Sequence, residues 1–303
     1  MSDATSREIT LTKIVDAPCD LVFKAWTEAE HLQRWWGPEG FTAPSVTSDA
    51  REGGAFRIVM RGPDGSDYPL TGTYREFDPP HRVVMDATAS GADEKPALEA
   101  VTTLTFVDHD GKTEITVHER AVALIPGAGM MLAGMEAGML QSLRRLDDFL
   151  SGAVDRQIVI ARLIEAPREL VFDAWTSTDH LEHWWGPNGF TLTTHEIDLR
   201  PGGSWRFTMH GPDGVDYPNE LVYGQVVRPE LITFEHGSPG TDDPSFDGMV
   251  SFDDFIGKTF LSMRSVFTTK EHLDRVVEQH DAIEGGNQTL DRLVAYVATR
   301  VNS

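Results

Sequence analysis

Residues Ala17–Thr42 read APCDLVFKAWTEAEHLQRWWGPEGFT, and residues Ala166–Thr191 read APRELVFDAWTSTDHLEHWWGPNGFT. Seventeen of these 26 positions are identical, without a gap, at an offset of 149 residues. The offset holds further along: Arg51-Glu52-Gly53-Gly54-Ala55-Phe56 answers to Arg200-Pro201-Gly202-Gly203-Ser204-Trp205, and Gly62-Pro63-Asp64-Gly65 to Gly211-Pro212-Asp213-Gly214. It falls to 146 after the segment near Ser90–Ala100 and returns to 147 where Gln141-Ser142-Leu143 faces Gln288-Thr289-Leu290. Two copies with so long a period are tandem domains and not a solenoid. The reading is residues 1–152 for the first domain and 153–303 for the second.

Each copy carries the same local signals. A strand (Ile9–Val15; Ile158–Ile164) ends at Ala-Pro, and proline suits a first helical turn. Leu21, Val22, Ala25 and Trp26 then recur at helical spacing, as do Leu170, Val171, Ala174 and Trp175. A short second helix carries Leu32, Trp35 and Trp36 and stops at Gly37-Pro38. Alternating segments follow, with Phe56, Ile58 and Met60 on one side of a strand and Trp205, Phe207 and Met209 on its counterpart. Asp64-Gly65 and Asp213-Gly214 fit tight hairpins. A long helix closes each copy, about Met130–Leu150 and Thr269–Arg300. Six or so consecutive antiparallel strands make a curved sheet, and the closing helix is the one long amphipathic element left to cover it. The fold class is therefore α+β, a curved antiparallel sheet wrapped on a long C-terminal helix, twice.

At the WWGP, RPGGSW and GPDG motifs the sequence resembles the START-like (helix-grip, SRPBCC) superfamily, and within it the Hsp90-ATPase-activator-homologue branch. The resemblance covers nearly the whole chain, twice. It implies a cavity between sheet and helix; members include hydrophobic-ligand carriers, plant hormone receptors and polyketide aromatase/cyclases. The co-chaperones of that branch have an additional N-terminal domain that engages the chaperone, and no segment here is like it, so Hsp90 is not expected as a partner.

Charge and cysteine content narrow the field. The net charge is −22, a field that repels phosphate backbones and anionic membrane surfaces, so nucleic acid is not expected as a partner. No apolar run approaches a membrane helix, and the N-terminus lacks a signal pattern. A cytoplasmic protein without membrane insertion is expected. A single cysteine, Cys19, excludes an internal disulfide. The sequence has no His-Glu-x-x-His, no Gly-x-Ser-x-Gly, no Walker loop and no Cys-x-x-Cys. No catalytic residue, metal or cofactor is expected.

The leading expectation is non-catalytic binding of a small hydrophobic or aromatic molecule in each cavity. Its candidate residues in the first domain are Trp35, Trp36, Phe56, Ile58, Met60, Met135 and Met139. The last two belong to a methionine-rich stretch of the closing helix, and methionine adapts to irregular apolar shapes. In the second domain they are Trp184, Trp185, Trp205, Phe207, Met209, His280 and Asn287. The tryptophans serve either as a pocket mouth or as packing for a fixed Gly-Pro corner. His280 and Asn287 fall on the inward stripe of their helix and would make a more polar pocket, unless Gly285-Gly286 breaks the helix and turns His280 to solvent. Two rivals stand beside this: an aromatase/cyclase-like enzyme using those two polar residues, and a scaffold with filled cores.

Overall fold

The computed structural model describes residues 5–62, 65–91, 93–239 and 244–301. Its chain divides into two compact units, Met1–Val154 and Asp155–Ser303. In the first, strand β1 (Ser6–Val15) leads to helices α1 (Cys19–Thr27) and α2 (Ala29–Trp35). Strands β2 (Thr42–Ser48), β3 (Ala55–Arg61), β4 (Asp67–Asp78), β5 (Arg82–Ser90), β6 (Pro96–His109) and β7 (Lys112–Ala123) follow, and helix α3 (Gly129–Leu150) closes the unit. The second runs β8 (Gln157–Ile164), α4 (Arg168–Thr176), α5 (Thr178–Trp184), β9 (Thr191–Ile197), β10 (Ser204–His210), β11 (Asp216–Val227), β12 (Leu231–Gly237), β13 (Phe246–Phe255) and β14 (Lys258–Val266). It ends in α6 (Lys270–His280) and α7 (Ala282–Val301).

Among the described residues each unit holds one seven-stranded antiparallel sheet, ordered β1-β7-β6-β5-β4-β3-β2 and β8-β14-β13-β12-β11-β10-β9. This is the expected α+β helix-grip architecture in tandem. The edge strands β2 and β9 went unanticipated. Thr42–Ser48 reads TAPSVTS, with Pro44 inside a register irregularity between Thr42 and Ser45, which an edge tolerates because one side of the strand needs no ladder partner.

The Ala-Pro corners are tied to the sheet. The buried hydroxyl of Thr113 donates to Ala17 O at 2.6 Å, and that of Thr259 to Ala166 O at 2.7 Å. Gly214, at φ +81°, makes the expected tight hairpin before β11; of its counterpart, Asp64 lies outside the described residues.

The closing helices differ. Helix α3 is continuous over 22 residues. The single helix expected over Thr269–Arg300 is instead two, broken at Asp281, whose φ of +47° is left-handed. Gly285 and Gly286 are not the break; they lie inside α7. Gly286 has a packing reason, because a Cβ there would stand 2.4 Å from Ile160 Cδ1 on β8. Thr269 accepts from the His272 N–H and caps α6.

Candidate functional site

The Trp-Trp-Gly-Pro corner proves to be the attachment point of the closing helix. Trp35 and Trp184 are 0% exposed, and each indole N–H donates to a backbone oxygen of the preceding helix, Ala25 at 2.9 Å and Ala174 at 3.0 Å. The corner's carbonyls meet an arginine from the helix. Arg145 Nη1 donates to Trp36, Gly37, Pro38 and Phe41 oxygens, and Arg292 Nη1 to those of Gly186, Pro187 and Phe190. Four residues earlier, Gln141 and Gln288 accept from the N–H of Glu39 and Asn188. Burial pulls both guanidinium groups below their ordinary pKa, for Arg145 against the opposing charges of Glu39 and Asp148. Of the two roles the sequence left open for these tryptophans, Trp35 and Trp184 take the packing of a fixed corner. Trp36 is half-buried, while Trp185 packs edge-on to Trp205 at 4.8 Å.

The apolar stripes sit mainly in filled core. Phe56, Ile58, Trp205 and Phe207 are buried, with Trp205 and Phe207 stacked at 4.1 Å. These four belong to the packed cores of their domains. Met60, Met209, Met135 and Met139 are partly buried around the cores. His280 is exposed at the end of α6, because the break at Asp281 takes it out of the continuous stripe that the sequence suggested. Asn287 does not face a pocket either: its Oδ1 accepts from Arg162 at 2.9 Å and its Nδ2 donates to Ile283 O.

The roofed face has a second half, away from the tryptophans, and here the first domain is unusual. Its apolar interior forms two separate clusters, a main one under α1 and α2 and a small one of Ala97, Leu98, Ala121, Ala128 and Leu132 under the start of α3. Across the sheet, Ala121 pairs with Ala100, Ala100 with Ala87, and Ala87 with Gly72. The Phe56 ring overlies Gly72, leaving a lane of three alanines on β7, β6 and β5. In the adjoining row Glu119 lies between Ile9 and Thr102. The alternation Thr113, Ile115, Val117, Glu119, Ala121 puts this glutamate on the helix side. Glu119 is half-buried, and burial alone pushes its carboxyl up to about 7. Among the described residues none donates a hydrogen bond to it.

In the second domain the same row is occupied. Ala121, Ala100, Ala87 and Gly72 become Phe267, Phe246, His236 and Leu221, with His236 opposite Phe246 and Leu221 in register. Ring centroids stand 4.7 Å apart for His236 and Phe246, 5.0 Å for Phe246 and Phe267, and 5.0 Å for Phe267 and His272 of α6. Asn219 Nδ2 donates to Tyr217 O, which orients its Oδ1 toward His236 Nε2 at 2.9 Å. Burial pushes His236 down to about 4, so it is neutral at ordinary pH. The position of Glu119 is taken by Ser265.

The sequence profile described as "Activator of Hsp90 ATPase homolog 1-like protein" matches residues 16–151 and again 165–298. The chain belongs to that family. Solved structures similar to this Activator of Hsp90 ATPase homolog 1-like chain include a Mycobacterium smegmatis protein, 26% identical over 47% of this chain and 91% of its own, with a TM-score of 0.44. A Staphylococcus epidermidis protein is 24% identical over 48% and 91%, at 0.43. An AHSA1 protein from Silicibacter pomeroyi is 23% identical over 48% and 98%, at 0.41. No curated protein matches. Among the described residues of this family member, no helix is long and apolar enough to cross a membrane, and no group of three or more His, Cys, Asp or Glu could hold a metal.

Proposed function

We propose that the protein binds a small apolar molecule without covalent chemistry, and that the first domain alone does so, in the alanine lane under α3. The observation that carries this is the contrast between equivalent rows: methyl groups at Ala121, Ala100 and Ala87 in one copy, and rings at Phe267, Phe246 and His236 in the other. Met131 and Met135 border the lane from α3, and methionine conforms to varied apolar guests. A ligand burying about 200 Å² of apolar surface would gain roughly 5 kcal/mol before ordering costs. The enzyme reading loses its named residues, since His280 is in solvent and Asn287 is engaged with Arg162. The second domain, with its row filled, fits a supporting role.

The test copies one domain into the other. Thermal shift of the full chain against a panel of small aromatics, lipids and polyketides should find stabilising ligands, and Ala100→Phe should abolish their effect. Phe246→Ala should leave those affinities unchanged. A panel with no stabilising member, or ligands that bind Ala100→Phe as tightly as the native chain, would sink the proposal.

A further inference from the structure

We propose that Glu119 makes the first domain's lane selective for an apolar molecule bearing an ammonium group; this rests on the ligand-binding reading above. The carboxyl lies on the roofed face beside the lane, with Ile9 and Thr102 as its register neighbours, and among the described residues no cation pairs with it. Every charged group on the packed elements is committed elsewhere or faces away. Arg7, one row along β1, donates to Leu132 O and Ala133 O and pairs with Glu136. Lys13 pairs with Asp147, Arg144 with Glu39, and Arg145 holds the Gly-Pro corner. On the opposite face, His118 pairs with Glu8 and Asp86 with Arg75; Glu99 and Arg120 alternate to that same face and are exposed.

A carboxylate enclosed without a partner is costly, and a donor cation brought by a ligand offsets that cost by charge-assisted hydrogen bonding. Anionic guests such as fatty acids meet the reverse, from Glu119 locally and from the chain's net charge of −22. The second domain, with Ser265 at this position and rings in the row, has neither the charge nor the room.

The experiment titrates the full chain at pH 8 with three matched probes, 2-naphthylmethylamine, 2-naphthalenemethanol and 2-naphthoate, by calorimetry. The amine should bind at least tenfold tighter than the alcohol, and the acid weakest. Glu119→Gln, which keeps the shape and removes the charge, should cost the amine at least tenfold and leave the alcohol unchanged. Equal binding of amine and alcohol, or a preference that survives Glu119→Gln, would overturn the selectivity. If the alcohol binds and Ala100→Phe abolishes it, the lane itself stands even then. Absence of binding by all three overturns the selectivity, and the lane itself falls only if the wider panel is also empty.

Discussion

Arg145 and Arg292 show how much a single side chain can organise. One guanidinium nitrogen satisfies several carbonyls that a sharp Gly-Pro corner turns away from any regular ladder, with Gly37 and Gly186 at positive φ. Truncating the arginine removes the donor those oxygens share, although Pro38 O keeps the Phe41 N–H at 3.1 Å. Arg145→Ala should therefore lower stability by about 2–4 kcal/mol in urea unfolding, and Arg145→Lys should recover only part of it, lacking the planar donor set. A loss below about 0.5 kcal/mol would show that the corner holds without its clamp. The motif was legible in sequence as a fixed corner; its partner was not, because the repeat matches Gln141 with Gln288 but nothing in sequence joins them to a corner more than a hundred residues away. Glu119 was legible in principle. It is the one acidic residue in the inward register of β7, and plain alternation from Ile115 and Val117 finds it.

At the level of elements, the strand-helix-helix-strand order and the closing helix followed from period and punctuation, whereas β2 and β9 did not. Their short polar stretches carry no alternation, and only the neighbouring β3 and β10 give them a place. The break between α6 and α7 also escaped, because a glycine pair nearby offered a stronger local signal than Asp281. Left-handed backbone is tolerated by aspartate and glycine and resisted by β-branched residues. Asp281→Val should cost roughly 1–2 kcal/mol and Asp281→Gly nothing or a slight gain, measured by thermal unfolding. Equal effects of the two substitutions would mean that the left-handed residue does not set the break.

For the whole molecule, duplication has produced two scaffolds whose buried ionisable groups respond to pH in opposite senses. Glu119 is raised from 4.5 to about 7, so its contribution is fully present below pH 4.5 and is lost as pH rises to about 7. His236 is depressed from 6.5 to about 4, so its contribution is fully present above pH 6.5 and is lost as pH falls to about 4. Each is worth at most roughly 3 kcal/mol. Calorimetry from pH 4 to 8 should show Glu119→Gln stabilising the chain increasingly toward pH 8 and His236→Gln flattening the loss toward pH 4. Parallel pH profiles for both variants and the native chain would refute this. The repeat was plain in the sequence, but the difference between copies was not, since it rests on which residues of four strands share a row, and that requires register.

The fastening of α3 is graded along its length. Its C-terminal half is bolted down by Arg145 and Gln141 against the Gly-Pro corner, whereas its N-terminal half is held to the sheet edge by Arg7, a latch half open to water. Such a lid would lift first from the Arg7 side, and the proposed ligand of the alanine lane would enter and leave by that doorway.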